Sequence, residues 1–128
     1  MKKLLLMLFC LSALFSCQKE EEGSSVVGTK WHADYGGGAI MVLEFSSPNT
    51  VVGYFADKNG LYKTGKTTGG YSVSNNKLTF TNMTIWWYDN ASYKPETAEI
   101  SGGLLTVKGT SFFNTGDKFN WNETFIKQ

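Results

Sequence analysis

Three consecutive aromatic residues, Trp86, Trp87 and Tyr88, are the most unusual local feature of this sequence. In a β-strand successive side chains point to opposite faces, so Trp87 would face one side and its two neighbours the other. Because only one side can be core, at least one large ring is expected to face solvent or a pocket. Aromatic rings combine a flat apolar face with a polar edge, which suits sugar rings, lipids or a protein partner. The alternative is that the outer pair only covers a loop or a sheet edge.

The same argument gives three weaker binding candidates elsewhere in the chain. Tyr54, Tyr62 and Trp121 also lie in segments with strand alternation, where a ring can face outward or into a pocket. Trp31 is assigned to the core. The binding candidates are therefore Trp86, Trp87, Tyr88, Tyr54, Tyr62 and Trp121.

A catalytic site is not expected, because the residues that could form one do not group. The one histidine, His32, follows Trp31 in a predicted strand and would face away from the core. Glycoside hydrolysis needs two carboxylates at a fixed separation, and no such pair stands out among the acids beyond residue 22. A Cys/His zinc site is nearly excluded by one histidine and two cysteines. We expect no enzyme activity, no cofactor and no metal ion.

The composition indicates one ordered domain that does not bind nucleic acid. A chain of 128 residues suffices for one domain of ordinary size, and 41% hydrophobic residues exclude a disordered chain. All 12 basic residues are lysine and the formal net charge is +1. A nucleic-acid binder would normally carry a basic patch rich in arginine.

The first sixteen residues have the pattern of a secretory signal. Met1, Lys2 and Lys3 form a charged start, and an apolar run covers residues 4–14. As a helix this run would rise roughly 16 Å, about half of a bilayer core, so it is too short for a transmembrane span. A buried core helix is the alternative, but that would show polar positions on one face.

The end of this segment, Leu14-Phe15-Ser16-Cys17, resembles the lipobox of bacterial lipoproteins. The resemblance implies that residues 1–16 are removed and that Cys17 carries acyl chains, which anchor the protein in the outer membrane. The next residues, 18–22, resemble the acidic export signal of Bacteroidota lipoproteins, which implies display on the cell surface. The alternative for this run is a solvated spacer, with the protein held on the periplasmic leaflet.

Cleavage would change the cysteine content and the net charge of the protein. Cys10 would leave with the signal and Cys17 would be consumed by lipid, so no thiol or disulfide would remain. Ten lysines would stand against eleven acids, a net charge near −1. Residues 17–27 then read as a flexible acidic tether, and the domain of residues 28–128 must be stabilised by packing alone.

Beyond the tether the pattern predicts short antiparallel strands and no helix. Segments with strand alternation are separated by turn residues such as Gly, Asn and Asp. Short connections favour a meander, and a sheet this long must close or split to protect its edges. We therefore expect an all-β up-and-down barrel of eight to ten strands, with a two-sheet sandwich as the alternative. The predicted strands are 29–35, 39–45, 50–56, 61–67, 71–74, 77–80, 83–88, 98–100, 104–107 and 118–127.

The start of the first strand, Gly28-Thr29-Lys30-Trp31, resembles the Gly-x-Trp entry of the calycin group, which includes the lipocalins. The repeated hairpins at 71–80 and 98–107 resemble the small lipocalin-like domains of Bacteroidota lipoproteins. The resemblance implies that Trp31 packs across the closed end of a barrel. The arginine that lipocalins place over this tryptophan is absent, because the chain has no arginine.

Two functions follow from this architecture. One is the binding of a small apolar or carbohydrate-like ligand at an aromatic barrel mouth. The other is a protein-interaction module with a filled barrel, such as a subunit of an outer-membrane complex or an enzyme inhibitor that uses the loop at 89–95. A cavity of a few hundred cubic ångströms, open at one end and lined by Trp and Tyr, would favour the first. A packed interior with an exposed aromatic patch would favour the second.

Overall fold

A computed structural model describes residues 26–62, 64–88 and 90–128 of the chain, and the regular structure there is β-strand. None of the described residues forms a helix of the length and hydropathy needed to span a bilayer. Nine strands are formed: β1 (Lys30–Gly36), β2 (Ala39–Ser47), β3 (Thr50–Asp57), β4 (Thr67–Ser74), β5 (Lys77–Thr81), β6 (Ile85–Trp87), β7 (Ala91–Ser101), β8 (Leu104–Phe113) and β9 (Lys118–Lys127).

Eight of these strands close into a barrel. These are all the strands except β6. Each pairs antiparallel with the next one along the chain, with β5 pairing directly with β7, and β1 pairs with β9 to close the ring. The short β6 pairs with Ala91, Ser92 and Tyr93, the half of β7 that β5 leaves free. The predicted all-β meander and its closure are therefore confirmed, and the two-sheet sandwich is excluded. The ring is closed by a short pairing of β1 with β9, Trp31 with Lys127 and His32 with Ile126.

Most predicted strands are found close to the expected bounds, but those predicted at 98–100 and 104–107 cover only part of β7 and β8. The strand predicted at 61–67 is wrong. The Asp57 carboxylate accepts hydrogen bonds from the backbone N–H groups of Asn59 and Leu61, each at 2.9 Å. These bonds, with those from the Gly60 N–H to the Asp57 carbonyl and from the Asp57 N–H to the Leu61 carbonyl, close a tight turn at Asn59-Gly60. Beyond the turn, the described residues form only a single antiparallel bridge, between Tyr62 and Ala56. β4 starts only at Thr67 and runs through residues 69–70, where the prediction ended a strand.

Glycine inside β3 and β4 serves close packing of the core. A Cβ atom on Gly69 would lie 2.8 Å from the Met83 side chain, and one on Gly53 would collide with both Met83 and Ile85. These glycines therefore let the segment that leads into β6 press against the barrel wall. Met83 and Ile85 are fully buried as a result.

One end of the barrel is closed and filled by side chains. Val26 and Trp31 are buried there, and the Trp31 indole donates to the Thr29 hydroxyl oxygen at 2.8 Å. The Gly28 N–H donates to the Phe45 carbonyl, which brings the start of the described chain to the end of β2. Above this end the interior is packed by large apolar residues, among them Met41, Leu43, Phe45, Leu78, Leu105, Val107 and Phe125.

The other end of the barrel carries four connections: 37–38, 58–66, 88–90 and 114–117. Because the strands run up and down, these lie at the opposite end from Val26. The loop that the sequence placed at 89–95 is shorter than expected, since β7 already begins at Ala91. The described chain thus enters the barrel at the closed end. The opposite end is therefore where a site can form.

Candidate functional site

A pocket of about 380 Å³ opens at the end of the barrel opposite Val26. Six strands supply its walls, and five of its nine lining residues are aromatic. No lysine, aspartate or glutamate is among them. The lining residues are Tyr35, Gly36, Ala39, Phe55, Trp87, Asn90, Ala91, Tyr93 and Phe113.

Phe55 organises the aromatic floor of this pocket. Its ring meets Tyr35 edge to face with centroids 5.3 Å apart, and Trp87 at 4.7 Å. Tyr93 lies 5.8 Å away in a tilted arrangement. Such offset and edge-to-face contacts are the favoured geometry of aromatic pairs. The pocket is therefore preformed by rings that hold one another at fixed angles.

Trp121 supports the pocket from below. Its indole N–H donates to the Tyr35 hydroxyl oxygen at 2.7 Å, and only 8% of the residue is exposed. The backbones of β1 and β9 pair through Trp31 and His32 near the closed end. The Trp121–Tyr35 bond links the same two strands nearer the mouth, and it fixes the Tyr35 ring in the pocket wall.

A single carboxylate, Glu123, lies on the inward face of β9. It alternates with Trp121 and Phe125, which are both buried in the core. Burial raises the pKa of Glu123, and a backbone hydrogen bond at Thr124 only partly opposes this. Burial, followed by the charge of Glu123, also raises the pKa of Tyr35. The carboxylate therefore lies close enough to the pocket floor to act on it electrostatically.

Glu123→Gln is expected to stabilise the domain near neutral pH. A raised folded-state pKa means that ionisation of Glu123 opposes folding. That cost is absent below the ordinary pKa of 4.5 and grows as pH rises through it toward the raised value. Thermal unfolding of both proteins measures the effect. The midpoint of the variant should exceed that of wild type at about pH 7, and this difference should be smaller at about pH 4.

Glu96→Gln is the matched control, because Glu96 is exposed on β7. Its midpoint should follow wild type at both pH values. A lower midpoint for Glu123→Gln at neutral pH would contradict the assignment of Glu123 to the low-dielectric interior.

Exposed apolar side chains surround the pocket. Trp86 is 55% exposed and Tyr88 is 51% exposed, although both are large and aromatic. They lie beside the tip of the β8–β9 hairpin, where Phe113 and Phe119 contact each other at 5.5 Å. We call this surface the aromatic rim: Trp86, Tyr88, Phe112, Phe113 and Phe119.

The structure distributes the three consecutive aromatic candidates over two surfaces. Trp87 lines the pocket, whereas Trp86 lies on the rim and faces solvent. Tyr88 has a positive φ of 50°, which ends β6 and turns the chain toward β7. Its ring packs on Trp87 at 4.9 Å. Only one of these three residues therefore contributes directly to the pocket.

Tyr54 belongs to the outer wall of the barrel. Its hydroxyl donates to the Glu44 carboxylate at 2.6 Å, and its ring packs against Tyr62 at 5.0 Å. Lys66 lies over both rings, and Lys30 forms an ion pair with Glu44 at 2.9 Å. Burial opposes ionisation of Glu44, but hydrogen bonds from Tyr54 and Lys30 keep its pKa lowered. The polar atoms of this cluster already have partners, and it lies away from the pocket.

Four aromatic pocket residues are not among the sequence candidates: Tyr35, Phe55, Tyr93 and Phe113. Strand alternation predicts one face of β3 for Phe55, but nothing local shows that this face meets Trp87 at the mouth. The usable signal for Tyr35 is its place directly before a run of three glycines, which marks the end of a strand. Cys17, the expected lipid-attachment site, lies outside the described residues.

A second depression of about 300 Å³ lies on the outer wall across β5, β7 and β8. Its lining alternates lysine, threonine and glutamate with Leu78 and Ala98, and contains no aromatic ring. No three His, Cys, Asp or Glu side chains of the described residues come together as metal ligands. The mouth pocket is therefore the better candidate site, because it joins concavity with a preformed aromatic lining.

Comparison of the chain with protein-family models and with functionally curated proteins finds no match.

Proposed function

We propose that this protein is an outer-membrane lipoprotein of the bacterial cell surface whose small barrel captures a small apolar or carbohydrate-like ligand. The observation that carries the proposal is the preformed aromatic pocket of about 380 Å³ at the open end. A volume near the lower end of the usual range for ligand sites suits one small molecule. The filled lower half of the barrel leaves no room for a long ligand to enter further.

The direction of the barrel fits an anchored binding module. Val26, where the described chain begins, is buried at the closed end. A tether that starts at a lipidated Cys17 would therefore reach the barrel at the end opposite the pocket. In that arrangement the mouth faces away from the membrane and toward incoming ligand.

The aromatic rim favours a second candidate, a protein-interaction module. Trp86, Phe113 and Phe119 are exposed on adjoining hairpin tips, and large exposed apolar patches commonly mark protein contacts. A partner that covers the rim would also close the pocket. The two candidates differ in what occupies the pocket: a small molecule in the first, a partner side chain or nothing in the second.

Fluorescence titration tests ligand capture. A neutral naphthylamine dye, which brightens in apolar surroundings, is expected to bind the purified protein at one site per chain. Small apolar compounds and monosaccharides are then scored by displacement of the dye. Absence of saturable dye binding, with every small molecule titrated by calorimetry also inert, would contradict ligand capture and favour the interaction module.

Cell fractionation tests the anchor. Cys17→Ala should release the protein from the membrane fraction, since several acyl chains supply the attachment. Cys10→Ala is the matched control and should stay in the membrane fraction, because Cys10 leaves with the signal. Membrane retention of Cys17→Ala would contradict lipid attachment. Protease treatment of intact cells should degrade the domain, and survival of the domain would contradict surface display.

A further inference from the structure

The walls of the mouth pocket have the chemistry of a site for an organic cation. Four rings, those of Tyr35, Phe55, Trp87 and Tyr93, form its floor and walls and stand at steep angles to one another. The face of each ring carries partial negative charge, so a cation enclosed by several rings is attracted to all of them. Neutral apolar ligands gain nothing from this term.

The lining of the pocket carries no positive charge of its own. Its non-aromatic members are glycine, alanine and one asparagine, Asn90. Three described lysines near this end of the barrel are engaged elsewhere: Lys58 pairs with Asp34 at 3.4 Å, Lys66 lies over Tyr54 and Tyr62, and Lys118 lies over Phe112. The rings of the pocket are therefore left available to a cation supplied by a ligand.

Glu123 places a negative charge behind these rings. It lies in the middle of β9 on the inward face, and the ion pairs found among the described residues do not include it. Its charge contributes to raising the pKa of both Tyr35 and Tyr93, so it lies near two of the four rings. A half-buried carboxylate without a cationic partner costs free energy on folding, and a bound cation would offset that cost.

We infer that the ligand of the mouth pocket is a small organic cation, with a quaternary or tertiary ammonium group held among Tyr35, Phe55, Trp87 and Tyr93 and attracted by the charge of Glu123 in the barrel interior beneath them. The inference rests on the proposed function and narrows its ligand class. N-methyl groups suit the site better than a bare ammonium, because they are apolar enough to pack on rings and carry less tightly bound water.

Calorimetric titration with two matched compounds tests this inference. Choline carries a trimethylammonium group, and its carbon isostere carries a tert-butyl group of the same shape without charge. The wild-type protein is expected to bind choline about tenfold more tightly than the isostere, the effect of one partly desolvated cation–π site. Added salt should weaken choline binding and leave the isostere unchanged.

Substitution then assigns the charge preference to the carboxylate. Glu123→Gln keeps the size of the side chain and should reduce the preference for choline to about threefold or less, since only the rings would remain to select the cation. Glu96→Gln, on the outside of β7, should keep the wild-type preference. A Glu123→Gln protein with the full preference would overturn the role of Glu123.

The wild-type comparison does not depend on any variant. Equal affinities for choline and the isostere, or dye binding with no choline binding, would overturn the cation inference and leave ligand capture standing. Failure of the dye, the monosaccharides, choline and the isostere alike would overturn ligand capture and the inference together.

Discussion

Replacing Trp87 with alanine is expected to lower the affinity of the protein for the neutral naphthylamine dye about 10- to 100-fold, the range for loss of one well-packed ring at a binding site. Trp87 lines the mouth pocket and packs against Phe55 at 4.7 Å. Because the residue is only half-buried, its removal should widen the pocket without opening the core below it. Dye titration of the variant and the wild type measures the change.

Trp86→Ala is the control that this sequence offers directly. The two tryptophans are adjacent on β6, yet Trp86 faces solvent while Trp87 faces the pocket. The dye affinity of Trp86→Ala should stay within about twofold of wild type, as for other exposed side chains outside a site. If Trp86→Ala lost as much affinity as Trp87→Ala, the ligand would sit on the rim and the pocket assignment would be wrong.

Phe55→Ala is expected to cost about 4 kcal/mol of folding free energy, within the usual range for truncation of a buried phenylalanine. Phe55 has no exposed surface and contacts three other rings of the pocket floor. Its loss would remove apolar burial and leave a cavity where Tyr35, Trp87 and Tyr93 meet. Urea unfolding followed by tryptophan fluorescence measures the change.

Phe119→Ala is the matched control for the effect of Phe55→Ala on folding free energy. Phe119 is also a phenylalanine in a strand, but it is 53% exposed on the β8–β9 hairpin. Its truncation should cost less than about 1 kcal/mol, as is usual away from the core. Similar losses for the two variants would mean that the rings around Phe55 do not form a packed floor.

The strands were predictable because the alternation of apolar and polar residues that marks a strand is a local property of the sequence. The alternation of residues 39–45 predicts that Met41, Leu43 and Phe45 share one face of their strand, and all three are buried in the barrel interior. The hairpin at residues 75–76 was marked by two asparagines, and Asn75 indeed adopts a positive φ of 58°. Where a turn residue serves packing instead, as at Gly69, the same local rule misplaced a strand end.

The pocket was less predictable because height along the barrel is not encoded in alternation. Alternation assigns Trp87 to one face of β6. Its contact with Phe55 depends, however, on the position of β6 along the length of β3. That position is set by Met83 and Ile85, which pack on Gly53. Tyr35 and Tyr93 likewise meet only after β7 pairs with both β5 and β6. A site shared by six strands requires the complete register of the barrel.

Glu123 shows a second limit of local patterns. Its position between Trp121 and Phe125 places it on the apolar face of β9, where a carboxylate is uncommon. From the sequence alone, an acid in such a short strand is interpreted as a solvent-exposed polar residue near a turn. Only the closed barrel shows that this face is the interior and that two tyrosines of the pocket lie within reach of its charge.

The indole N–H signals of the four tryptophans give the most direct test of the mouth pocket as the ligand site. In a correlation spectrum of isotope-labelled protein, addition of the neutral naphthylamine dye should shift the Trp87 signal most. The Trp121 signal should move less, because its indole N–H is bonded to Tyr35 beneath the pocket. Trp31, at the closed end, should stay in place. Shifts confined to Trp86, or largest at Trp31, would contradict a ligand site in the aromatic mouth of the barrel.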